Sequence, residues 1–119
     1  MEVEITEFDG TTLVVPCGRL DGSRVTEFST SLKDLITERG VCKLAVSLRE
    51  VHFTSEDFWR QLNAAIQKTY RGRTGDNFRV RVRVCGITSA AVMQTFRRVG
   101  TRLNIPYFPT EAEAISTAW

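Results

Sequence analysis

One junction restricts this chain more than any other feature. Residues 44–59 read Leu44-Ala45-Val46-Ser47-Leu48-Arg49-Glu50-Val51-His52-Phe53-Thr54-Ser55-Glu56-Asp57-Phe58-Trp59. Residues 42–48 are an apolar run of strand length, apolar enough for the middle of a sheet. A small polar cluster follows. Phe58, Leu62, Ala65, Ile66 and Tyr70 then repeat at helical spacing, so a helix is expected from about Ser55 to Tyr70. Thr54 or Ser55 is suited to its N-cap, and Glu56 and Asp57 complement the dipole of its first turn. A buried strand feeding a helix excludes all-α and all-β architectures. The first-turn N–H groups of such a helix are unpaired, so working residues are expected around Thr54, Ser55, Glu56 and Asp57.

The rest of the chain supplies compatible elements. Residues 2–8 alternate as a half-exposed strand, Asp9-Gly10 makes a tight hairpin turn, and residues 12–18 return as a second strand. Pro16 cannot donate to a ladder and belongs at an edge, a bulge or a strand end. Arg19 to Ser23 read as a loop. Val25, Phe28, Leu32, Leu35 and Ile36 mark a helix ended by Arg39-Gly40, a basic last turn before a C′ glycine. Further on, Phe78, Val80, Val82 and Val84 alternate with Arg79, Arg81 and Arg83, a strand with one apolar and one cationic face. A third helix begins at Ser89 and ends at Val99-Gly100. Residues 104–108 form a short strand, and Thr110 with Glu113 makes a capping box for a last helix. The order implies an α/β fold over residues 1–119, a single domain. Its mixed four- to five-stranded sheet is led by an N-terminal hairpin, with about four helices packed mainly on one face. The arginines of residues 78–84 then lie on the less covered face.

Composition narrows the chemistry. Apolar residues make up 42% and charged residues 25%, as in ordinary soluble domains. No apolar run approaches the ~20 residues of a membrane span, and the acidic N-terminus lacks a signal segment, so cytoplasmic residence without a membrane partner is expected. Cys17, Cys42 and Cys85 show no CxxC spacing and His52 is the one histidine, so no metal site is expected. The cysteines read as buried or half-buried free thiols. Gly72-Arg73-Thr74-Gly75 lacks the spacing of a phosphate loop, and His52 has no triad spacing with Ser47 or Ser55. Neither catalysis nor a cofactor is therefore expected. Charge is polarised: residues 1–57 carry 6 basic against 11 acidic side chains, residues 58–119 carry 10 against 3. The cationic strand lacks interleaved aromatics or a reading helix, which argues against nucleic acid. It could instead receive an acidic partner or the acidic half of a second copy.

With that order in place, the residues resemble the STAS domain family of bacterial anti-sigma-factor antagonists and sulfate-transporter tails. Gly18-Arg19-Leu20-Asp21 is similar to the family's G-x-L-D after the second strand. Leu44 to Val51 resembles its L-V-L-D-L-S-x-V, and Val84-Cys85-Gly86-Ile87-Thr88 its strand–glycine loop. The tail from Asn104 to Ile115 resembles its short strand and T/S-x-E-E-A-L helix. The resemblance implies a D-S-S-G-L segment after the central strand, with a Ser or Thr phosphorylated by a kinase that doubles as an anti-sigma factor. Here Ser55 stands at the Asp, Glu56 at the phosphorylated Ser, Asp57 at the second Ser and Phe58 at the Gly. Ser47 replaces the strand's usual Asp. The scaffold is kept and the phosphorylation motif is degenerate.

The resemblance thus implies a non-enzymatic protein-binding module whose expected partner is a serine-kinase-type anti-sigma factor or a related regulator. Its expected surface is Asp21, Ser55, Glu56, Asp57 and Trp59. Ser55 and Thr54 are the hydroxyls left for phosphorylation, both outside the family register. The alternatives are a scaffold or homo-oligomer subunit joined through the acidic and basic halves, or a small-ligand or nucleotide-binding domain of the same fold.

Overall fold

The computed structural model describes residues 3–119. Met1 and Glu2, the latter expected to open the first strand, lie outside the described residues. The hairpin pairs β1 (Glu4–Phe8) with β2 (Thr11–Val15) antiparallel. Its turn has Asp9 at φ 48° and Gly10 at φ 83°, the left-handed conformations expected of that dipeptide. The chain breaks at Pro16, as a residue without an N–H requires. It then enters β3 (Cys17–Leu20), where a loop was expected from Arg19 onward. Helix α1 (Ser23–Arg39) ends on Gly40 at φ 64°, whose N–H reaches the Ile36 carbonyl.

Strand β4 (Lys43–Ser47) lies between β2 and β8 (Arg81–Cys85), parallel to both, and the short β9 (Tyr107–Phe108) closes the order β1-β2-β4-β8-β9. The polar segment after β4 is a strand rather than a loop: β5 (Glu50–Thr54) pairs parallel with β3 in a separate two-stranded ladder. Helix α2 (Glu56–Gln67) stops short of Tyr70, which joins β6 (Tyr70–Arg71) against β7 (Asn77–Phe78). The expected strand at residues 78–84 is thereby split into β7 and β8. After α3 (Ala90–Thr95), residues Phe96–Gly100 widen into a π-turn, and the Phe96 ring lies where a Cβ on Gly100 would stand. Helix α4 (Glu111–Ser116) is capped by Thr110, whose hydroxyl accepts from Glu113 N–H at 3.1 Å.

The core has two unequal layers. On one face, Val14, Leu44, Val46, Val82 and Val84 pack against α1, α2 and α3. On the other, Leu13, Val15, Ala45 and Cys85 meet α4 through Ala114, with Phe108 and Ile115 alongside. Central strands covered on both sides need apolar side chains in both directions, which β2 and β4 supply. Arg49, in the β4–β5 turn, ties the sheet's rim together by pairing with Glu4, Glu50 and Glu111. No helix among the described residues is long and apolar enough to cross a membrane.

The arginine strand departs from an open cationic face. Arg83 stands opposite Ala45 in the β4–β8 register and is only 8% exposed, because α4 and residues 117–119 close over it. Its guanidinium donates to the carbonyls of Ala114 (3.0 Å), Thr117 (2.7 Å) and Ala118. It also stacks on the Trp119 ring at 3.9 Å and on Phe108 at 4.7 Å. Burial pushes its pKa below the usual arginine value, with Arg81 adding repulsion. The cysteines divide likewise: Cys85 is buried, whereas Cys17 and Cys42, expected to be at least half-buried, are exposed.

Candidate functional site

The β3–β5 ladder positions the start of α2. Gly18, at φ 81°, lies beside a register shift between Gly18 and Arg19, which lets the two strands end together at Leu20 and Thr54. The Ser55 N–H then donates to the Leu20 carbonyl at 3.0 Å, binding the exit of β3 to the entrance of α2. Asp21 follows Leu20 directly, so the fold brings Asp21 beside Ser55, Glu56 and Asp57 although 33 positions separate Asp21 from Thr54 in the chain.

Each side chain there has a defined task. Ser55 is the N-cap, its hydroxyl accepting from the Phe58 N–H at 3.3 Å. Glu56 and Asp57 are exposed in the first turn. Glu56 is turned back along the helix, pairing with Arg60 at 3.2 Å and with Arg98 of the π-turn at 3.3 Å. Asp21 pairs with Arg19 at 3.1 Å, and the Arg19 guanidinium lies 4.3 Å over the Phe53 ring. Asp57 has no ion pair among the described residues, leaving its carboxylate the one most open to a partner.

Two expected members of this surface lie beneath it. Trp59 is 0% exposed and offers no anchor to a partner; Thr54 is 1% exposed, and its hydroxyl accepts from the Trp59 indole N–H at 3.0 Å. The cause is the breadth of the apolar arc on α2. Phe58 faces Phe28 of α1 at 5.5 Å between ring centroids, while Trp59 faces Phe96 of the π-turn at 5.3 Å. A helix contacted from two sides buries adjacent residues, and a stripe built on Phe58 and Leu62 alone underestimates it. Thr54, as the buried acceptor for that indole, is removed from the surface with it.

Other polar residues near the junction have structural roles. His52 is exposed, and its carbonyl accepts from the Ser89 hydroxyl at 3.1 Å, which ties β5 to the start of α3. Ser47 is fully enclosed at the end of β4, and a Cβ on Gly86 would lie 3.1 Å from its hydroxyl oxygen. Among the described residues no group of three or more His, Cys, Asp or Glu side chains is placed to hold a metal ion. Sequence reasoning missed the two arginines that hold Glu56. Arg60 was legible as an i, i+4 partner; Arg98, 42 positions from Glu56, carried no local signal.

No protein-family model matches the chain, and no curated protein does. Solved structures do. The structure of an anti-sigma factor antagonist from Mycobacterium paratuberculosis superimposes with a TM-score of 0.74 at 17% identity, over 97% of this chain and 91% of the other. The anti-sigma factor antagonist SpoIIAA, in its unphosphorylated form, gives 0.58 at 17% identity over 96% and 94%. A Thermotoga maritima protein described in the same terms gives 0.68 at 12% identity over 95% and 91%. The chain therefore has the STAS fold of these antagonists, along nearly its whole described length.

Proposed function

We propose that this chain is a stand-alone, non-enzymatic regulatory module that binds a second protein through the α2 junction. The partner is a serine-kinase-type anti-sigma factor or a related regulator. Support comes from a fold shared with anti-sigma factor antagonists and from an acidic rim at the helix start, where half-buried Asp21 joins exposed Glu56 and Asp57. The mechanism is competition in the cytoplasm: the module occupies the regulator and frees what the regulator would otherwise hold.

One observation carries the further claim that the rim is a fixed surface rather than a phosphorylation switch. The Thr54 hydroxyl is buried under Trp59, the Ser55 hydroxyl caps Phe58, and position 56 holds a carboxylate clamped by Arg60 and Arg98. A glutamate carries about one negative charge where a phosphoserine carries about 1.5 to 2, and it cannot be removed by a phosphatase. Binding is then set by the amount of protein present.

Incubation with the cognate kinase and ATP, followed by intact mass measurement, tests this reading. The expected result is an unmodified chain that is still retained on the immobilised kinase. Stoichiometric phosphate on Ser55 or Thr54, with release from the kinase, would show that a switch survives.

A further inference from the structure

A cleft of about 300 Å³ lies between α2 and the π-turn, lined by Glu56, Arg60, Arg98, Val99, Arg102 and Leu103. Three guanidiniums there face one carboxylate, an excess of two positive charges. Glu56 is shared between Arg60 at 3.2 Å and Arg98 at 3.3 Å, whereas Arg102 is exposed with no ion pair among the described residues. Arg98 and Arg102 stand on one wall, where like charges repel. Packing does not require them there, since both side chains are exposed. The wall is fixed to α2 from beneath. Thr101 N–H closes the π-turn on the Phe96 carbonyl at 3.0 Å, and the buried Phe96 ring packs on Trp59 at 5.3 Å between centroids. Arg98 and Arg102 are thereby held opposite Arg60, and π-turns are frequent at functional sites.

We propose that this cleft receives the phosphate of a phosphorylated serine or threonine on a partner protein. A phosphomonoester carries a charge of about −1.5 to −2 at neutral pH, which matches the excess in the cleft. Its three acceptor oxygens suit the forked donors of Arg60, Arg98 and Arg102, and arginine clusters are a recurring way to read such groups. A single carboxylate would leave half of the excess unmatched. Half-buried Val99 and Leu103 give apolar contact to the residue beside the phosphate. Glu56 is then an internal competitor: its two ion pairs are exposed, and a dianion displaces it from Arg60 and Arg98 at little cost. Asp57 does not line the cleft, so this site and the kinase-binding rim can fail separately.

Fluorescence anisotropy with a capped, labelled Ala-Ala-phosphoserine-Leu-Ala peptide at low ionic strength tests it. Saturable binding is expected, weakened about tenfold by Arg102→Gln. Glu56→Gln, which removes the competitor, should tighten it about two- to fivefold. Arg97→Gln takes the same charge from an exposed residue outside the cleft and should leave binding unchanged. Circular dichroism confirms that each variant is folded. Absence of binding, or equal losses for Arg97→Gln and Arg102→Gln, would overturn the site. Equal binding of the peptide with glutamate in place of phosphoserine would overturn the phosphate. Inorganic phosphate that binds as tightly as the peptide would assign the cleft to the free anion and overturn the partner.

Discussion

The α2 junction and strand β8 both carry dense charge, and the fold treats them in opposite ways. At the junction Glu56 and Asp57 stay outside, while the neighbouring aromatic, Trp59, goes fully inside. At β8 the last arginine of an alternating series, Arg83, goes inside, while Arg79 and Arg81 stay out. Local pattern decides which face a side chain takes. What later segments lay on that face decides whether it meets water. The cover over Trp59 comes from the π-turn at residues 96–100, and the cover over Arg83 from α4 and residues 117–119.

Substitutions can break or sharpen this contrast, and the largest effect is expected at Trp59. Trp59→Ala removes a fully buried ring that packs on Phe58 and Phe96 and strands the Thr54 hydroxyl. It should lower unfolding free energy by about 3–5 kcal/mol in urea titration. Arg83→Met comes next, at about 2–3 kcal/mol, because hydrogen bonds from a charged donor and the Trp119 stack are lost together. Arg81→Met on the same strand should stay within about 0.5 kcal/mol, as exposed sites usually do. Equal effects at the two arginines would contradict the closure of α4 over Arg83.

A pH effect of intermediate size separates the buried thiol from the exposed ones. Burial, helped by the Glu111 carboxylate, pushes Cys85 from 9.0 up to about 11. Between those values the unfolded chain gives up its proton before the folded one does. The contribution of Cys85 is thus complete below about pH 9 and lost as pH rises towards about 11, with a slope approaching about 1.4 kcal/mol per pH unit. Cys85→Ala should flatten this part of the profile. Tyr70, also raised by burial, acts in the same direction and remains in that variant. At about pH 8 a thiol reagent should modify Cys17 and Cys42 promptly and Cys85 only on unfolding.

The junction's own polar residues are expected to matter least for stability. Ser55→Ala should cost about 1 kcal/mol through the lost cap, with Ser55→Asp restoring it. Glu56→Gln should cost about 0.5 kcal/mol or less, fading with salt, since both of its ion pairs are exposed. A larger, salt-independent loss would mean that Glu56 holds the π-turn in place.

What was legible in the sequence was local. Asp9-Gly10, the Gly40 cap, and the caps at Ser55 and Thr110 depend on a few adjacent residues, and all form as expected. The apolar run at residues 42–48 and the strict apolar–cationic alternation at residues 78–84 marked the two central strands, the first because burial on both faces demands it. The β3–β5 ladder was not legible: it joins two short, mixed segments about 33 positions apart, neither with clean alternation. At the site, the acidic rim and its cap could be read directly. The burial of Thr54 and Trp59 could not, because it depends on Phe96, 37 positions after Trp59.

The central claim is a fixed acidic recognition surface at the α2 junction. Calorimetric titration of the serine-kinase-type anti-sigma factor encoded nearest this protein, with and without ATP, tests it most directly. The account predicts an affinity unchanged by ATP and weakened about tenfold or more by Asp57→Lys, with Asp57→Asn intermediate. Release on adding ATP, or an affinity indifferent to Asp57→Lys, would contradict it.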